Sequence, residues 1–121
     1  MEIIGDKDKL IGLNFRAKEG FSGRIANENF FTFFRDTKII LNNDFIEKFK
    51  TTRIAINCET NEEADEFCNF IKYKNFRCYD LGKYYKNNTC YNLNNGKEIT
   101  YSHISYYKEN NYTILKFKDC I

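Results

Sequence analysis

The residues from Arg53 to Asp80, RIAINCETNEEADEFCNFIKYKNFRCYD, constrain the chain most, because they read as strand, helix, strand with a signal at each junction. Ile54 and Ile56 alternate with Ala55 and Asn57, the period of a half-buried strand, and β-branched side chains favour that state. Thr60 stands where it can cap a helix and Glu63 completes a capping box, while Glu62, Glu63, Asp65 and Glu66 put negative charge at the positive end of the helix dipole. Ala64, Phe67, Cys68 and Ile71 then recur at helical spacing, so they share a face that must be buried. Lys72 and Lys74 suit the last turn and Asn75 the left-handed exit, so the helix gives way to a second strand over Phe76 to Tyr79. If the two strands are parallel neighbours in one sheet, their crossover is right-handed.

At 121 residues, with 42% hydrophobic and 17% aromatic content, the chain has the size and composition of one domain with its own core. No apolar run reaches membrane-span length, and MEIIGDKDKL lacks the basic and apolar regions of a secretory leader, so a cytoplasmic protein is expected. The five cysteines, at 58, 68, 78, 90 and 120, are odd in number and lack CxxC spacing. They read as reduced, semi-buried thiols rather than as a disulfide framework or a metal site. Ile, Lys, Asn, Phe and Tyr make up more than half of the chain, while Pro and Trp are absent, the coding bias of a low-GC genome. A net charge of +2 excludes a generally basic nucleic-acid binder, although residues 53 to 70 are net acidic and residues 71 to 121 net basic.

Around this unit the elements are shorter. Leu10, Ile11, Leu13 and Phe15 suggest a strand interrupted by Gly12, followed by a turn over Lys18 to Gly23. The apolar runs Asn29 to Phe34 and Lys38 to Leu41 predict an antiparallel hairpin, and Asn43 or Asp44 caps a short helix to Lys50. Downstream, Thr89 to Leu93 and Glu98 to Tyr101 flank Asn94-Asn95-Gly96, a strong hairpin signal. Ser102 is placed to cap a short helix over His103 to Glu109, Asn110-Asn111 closes it, and Tyr112 to Lys118 alternates as a last strand. The expected architecture is a single α+β domain, residues 1 to 121, with a mixed, mainly antiparallel sheet and one main amphipathic helix. Residues 1 to 52 form its β-rich N-terminal part, and residues 53 to 121 approximate a split βαβ, ferredoxin-like arrangement with an additional strand.

Catalytic signals are sparse. His103, the only histidine, reads as a surface or capping residue, the paired carboxylates are explained by capping, and no phosphate-cradling glycine loop is present. The reading is of a non-enzyme without cofactor or metal. More suggestive are Lys83-Tyr84-Tyr85-Lys86 and Tyr106-Tyr107-Lys108, with Arg77 and Tyr79 on a nearby strand. Aromatic faces beside cations stack bases and neutralise phosphates, and the same residue types form protein hot spots or a half-buried rim. Glu62, Asp65 and Glu66 form a second candidate surface, an acidic helix face resembling nucleic acid in its charge.

The segments RIAINCETNEEADEF, YYKNNTCYNLNNGKEITY and SYYKENNYTILKF, in that order over residues 53 to 118, resemble small accessory proteins encoded by phages and prophages of low-GC bacteria. The resemblance implies an anti-defence setting in the cytoplasm of an infected or lysogenic bacterium, and it brings no catalytic residues. The implied function is inhibition of an antiviral defence system by binding, as an anti-CRISPR-type blocker of a Cas effector or of its guide-RNA complex. One alternative is a sponge that sequesters a nucleotide defence signal in a Tyr/Lys-lined pocket, and another is an accessory module binding single-stranded RNA or DNA.

Overall fold

A computed structural model describes residues 2–40, 53–73, 88–92 and 99–120. In chain order its elements are β1 (Ile3–Ile4), a 3-10 turn (Lys7–Leu10), β2 (Asn14–Arg16), β3 (Ser22–Arg24), α1 (Asn29–Phe33) and β4 (Ile54–Cys58). They continue with α2 (Asn61–Tyr73), β5 (Thr89–Asn92), β6 (Thr100–His103), α3 (Ile104–Glu109), β7 (Thr113–Lys116) and a closing 3-10 turn (Phe117–Asp119). Among the described residues, five strands form one mixed sheet in the order β1-β7-β4-β5-β6, in which only β4 and β7 are parallel, and β2 and β3 make a separate hairpin. The expected α+β class and main helix are therefore present. The strand expected over 76–79, on which the split βαβ arrangement depends, lies outside the described residues, as does the short helix expected at 43–50.

β4 holds the centre of the sheet, and every one of its residues is buried. Ile54, Ile56 and Cys58 point into a large core shared with α2, whereas Ala55 packs with Cys90, Ile114 and Tyr107 in a smaller cluster on the opposite face. The expected half-buried strand is thus buried on both sides. Its alternation separates two cores instead of core from solvent, because α3 covers the second face. Asn57 is tolerated there because its Nδ2 donates to the Thr89 carbonyl at 3.3 Å, and Asn92 likewise donates to the Ile54 carbonyl at 2.8 Å. A buried amide without such a partner would cost about 1–3 kcal/mol.

α2 forms as its sequence predicts. The Thr60 hydroxyl accepts the Glu63 backbone N–H at 3.2 Å and donates to the Glu63 carboxylate at 3.4 Å. Ala64, Phe67, Cys68 and Ile71 are all buried. Phe67 stacks against Tyr91 of β5, with ring centroids 5.0 Å apart, and meets the edge of Phe117 at 5.7 Å. Burial of one such aromatic side chain contributes roughly 1.5–3 kcal/mol.

The N-terminal part departs further from expectation. Asp6 caps a 3-10 turn by accepting the Asp8 N–H at 2.9 Å, and Gly12, at φ +93°, turns the chain before the strand begins at Asn14. Leu10 and Leu13 therefore enter the core from a turn, not from a strand. Asn29 to Phe33 is a short helix and not the first strand of a hairpin. The Asn27 side chain accepts the Asn29 N–H at 2.9 Å, and the Phe34 N–H reaches the Phe30 carbonyl at 2.9 Å. Helical spacing turns Phe30 and Phe31 inward and leaves Phe33 82% exposed, a division a strand would not give. Phe15, Phe21, Phe30 and Phe34 meet ring to ring at 4.6–6.2 Å, and the first, third and fourth belong to the core that contains Phe67 or pack against it. Ile39 does not pair along a strand but makes single bridges to Ala17 and Cys120. Among the described residues, no helix is long and apolar enough to cross a membrane.

At the C-terminal end, β5 and β6 pair antiparallel as expected from the Asn-Asn-Gly signal, with Tyr91 opposite Tyr101. The cap of α3 falls one residue later than expected. His103, not Ser102, adopts the extended capping conformation, and its Nδ1 accepts the Ser105 N–H at 3.2 Å. Asn111, at φ +61°, ends the helix before β7, which gives way at Phe117 to the final 3-10 turn. Gly5 lies against this exit, where a Cβ would stand 2.7 Å from the Tyr112 carbonyl oxygen.

Candidate partner-binding site

With one face of α2 locked into the core, the other is held outward. Glu62, Asp65 and Glu66 are all exposed and fall at i, i+3 and i+4, so their carboxylates share one side of the helix. None of the three has an ion-pair partner among the described residues. The helix also starts on a rigid support, because Glu59, at the end of β4, accepts Lys116 Nζ at 3.0 Å and Lys118 Nζ at 3.5 Å. The hydrogen bond from Lys116 holds the Glu59 carboxyl below the usual carboxylate range.

Beside the acidic row is a recess of about 440 Å³ lined by Lys38, Glu63, Glu66, Phe70, Phe117, Lys118 and Cys120. Glu63 Oε1 is closed off from solvent and has no hydrogen-bond partner among the described residues, the other oxygen being the one that takes the Thr60 hydroxyl. Burial, reinforced by the neighbouring Glu59 charge, pushes the Glu63 carboxyl up. This recess was not legible from sequence, since its walls come from the Ile39 segment, α2 and the C-terminal turn. Only the capping role of Glu63 was signalled.

The aromatic candidates divide differently. Tyr106 is 50% exposed and meets Tyr107 edge to face at 5.2 Å. Tyr107 is 1% exposed and belongs to the smaller core, edge-on to Tyr112 at 4.8 Å, so its place is in packing and not on a contact surface. Burial raises its phenol to about 12. Arg77, Tyr79, Lys83, Tyr84, Tyr85 and Lys86 lie outside the described residues.

A second recess, of about 410 Å³, is lined by Ile4, Gly5, Asp6, Lys9, Lys108, Asn111 and Tyr112. Arg53 lies 5.8 Å from the centre of the Tyr112 ring. This is the described counterpart of a Tyr/Lys pocket, but Lys9, one of its two lysines, and the neighbouring Arg53 already serve the chain. Lys9 donates to the Asn111 carbonyl, and Arg53 donates to the Asn110 carbonyl at 2.9 Å, satisfying oxygens that the end of α3 leaves open.

The described cysteines, 58, 68, 90 and 120, are all buried. Burial raises the Cys58 thiol far above its ordinary range and the Cys90 and Cys120 thiols to about 12, opposite to what a nucleophile needs. Among the described residues, no cluster of three or more His, Cys, Asp or Glu side chains is arranged to hold a metal ion. No family model matches the chain, and neither a curated protein nor a solved structure shows significant similarity to it.

Proposed function

We propose that the chain acts in the bacterial cytoplasm as a binding inhibitor of an antiviral defence system, laying the acidic face of α2 on a basic, nucleic-acid-binding surface of an effector. A Cas nuclease or its guide-RNA complex is the kind of partner that such a face fits. The observation that carries this reading is the exposed row of Glu62, Asp65 and Glu66, without ion-pair partners among the described residues, on a helix whose other side is anchored by Phe67 and Ile71. Carboxylates held at fixed spacing on a rigid helix pay little ordering entropy when they meet a basic channel, and they speed encounter with it. The raised thiols and the single, capping histidine support binding over catalysis. The nucleotide-sponge reading has weaker support, because Lys9 and Arg53 beside Tyr112 are engaged with backbone carbonyls.

The test is capture by the tagged protein from a low-GC host with an active CRISPR system, followed by native mass spectrometry before and after nuclease treatment. A stoichiometric, nuclease-resistant effector is the expected bound species. A bound nucleotide on an otherwise lone protein, or material lost on nuclease treatment, would replace this reading with one of its alternatives.

A further inference from the structure

We infer that the outer face of the β2–β3 hairpin contacts the phosphate backbone of a single RNA strand, an inference that takes its setting from the acidic-face reading and makes the partner a nucleoprotein. Asn14 pairs with Arg24 and Arg16 with Ser22, which places these four side chains on one face, while Phe15, opposite Gly23, turns to the core. All four are exposed, as is Lys18, the next residue of the same phase. Arg24 lies across Gly12, where a Cβ would stand 3.4 Å from its guanidinium. The face thus presents Arg24, Arg16 and Lys18 with two small neutral hydrogen-bonding side chains between them, and these five residues include no carboxylate. None of the three cations has an ion-pair partner among the described residues.

A row of this kind fits an extended polyanion. Arg16, Lys18 and Arg24 line none of the recesses around Tyr112, Phe31 or Glu63, so they form a line on an open face and not an enclosure for a small anion. Alternate residues of a strand stand about 7 Å apart, an interval close to that between consecutive phosphates of an extended nucleic-acid strand. Arginine meets a phosphate with a fork of donors, and Ser and Asn add neutral bonds to phosphate or sugar oxygens. The place of the face in the fold then selects the partner. The Lys18 N–H donates to the Lys38 carbonyl at 3.0 Å, and Lys38 borders the recess that Glu66 also lines, so the basic face adjoins the acidic row of α2. Bare nucleic acid is repelled by the acidic row, and a bare basic surface is repelled by the hairpin. An effector that holds its guide RNA along a basic channel complements both faces at once.

The experiment is fluorescence anisotropy of a short labelled oligouridylate with the full chain, repeated across salt concentrations. Three phosphate contacts predict saturable binding at low salt and a slope of log K against log salt of about −2. In the protein carrying Arg16→Gln and Arg24→Gln, low-salt binding should weaken by about tenfold or more and the slope should shrink to about −0.7, one contact remaining. Both side chains are exposed, so the variant should fold, which an unchanged thermal denaturation verifies. Three contacts hold a free strand weakly at physiological salt, so RNA retained on capture comes with its effector. No saturable binding at low salt, binding unchanged in the double variant, or equal displacement of the RNA by polyglutamate, which would mark a face for acidic protein, would overturn the inference. RNA binding without effector capture refutes the docking reading alone. Effector capture that survives Arg16→Gln with Arg24→Gln unchanged refutes the RNA contact alone.

Discussion

Lys116 Nζ stands 3.0 Å from Glu59 Oε1 and 3.2 Å from Glu2 Oε2, so one ammonium at the end of β7 joins the residue after β4 to the residue before β1. The Glu2 backbone N–H adds a bond of 3.0 Å to Asp119, closing the N-terminal edge against the final turn. The Lys116 hydrogen bond lowers the Glu59 carboxyl, and the same bond raises the Lys116 amine. Stability from Glu59 is thus present above the ordinary carboxyl range and lost as pH falls through the lowered value. Stability from Lys116 is present below the ordinary lysine range and lost as pH rises through the raised value. Lys116→Met should cost about 1 kcal/mol near neutral pH and flatten both limbs of the stability profile, as read by urea denaturation across pH. An unchanged profile would mean that the pair is too well solvated to matter.

Phe67 and Phe33 should behave as opposites. Phe67 is fully buried between α2 and the sheet, so Phe67→Ala leaves a cavity and should cost about 3–5 kcal/mol. Phe33 is exposed on α1, and Phe33→Ala should change stability by no more than about 0.5 kcal/mol. Thermal denaturation of the two variants checks the helical assignment of the Phe run, since a strand buried between layers would make Phe33 costly as well.

His103 is a cap, and its replacement should show it. His103→Ala removes the acceptor for the Ser105 N–H and should destabilise by about 1 kcal/mol, whereas His103→Asn, a strong capping residue, should recover most of that loss. Equal stability of the two variants in urea denaturation would show that the imidazole contributes by something other than capping.

What could be read from the sequence followed from how local each signal was. α2 carries its cap, its charged first turn and its buried face within its own residues, and all three are present in the structure. The β5–β6 pairing was likewise legible, because the Asn-Asn-Gly turn signal lies between its strands. Burial of β4 on both faces was not legible, because the cover of Ala55 comes from α3, far along the chain, and because Thr89 supplies the acceptor that makes burial of Asn57 tolerable. The Phe run has no readable period. Asn27 starts its helix, and the rings of Phe15 and Phe21 decide which of its faces is buried. The acidic row was visible as a surface because nothing distant is needed to make it one. The recess beside it draws Lys38, Phe70 and Cys120 together from separate segments, so no linear pattern announces it.

The measurement closest to the central claim is effector capture by the protein carrying Glu62→Lys, Asp65→Lys and Glu66→Lys together. These side chains are exposed and leave the buried face of α2 intact, so the variant should fold, which circular dichroism verifies. The account predicts that capture falls by about tenfold or more and that wild-type capture weakens as salt is raised, as contacts between an acidic face and a basic channel require. Capture by the folded variant equal to wild type would contradict the account and remove the α2 face as the binding surface.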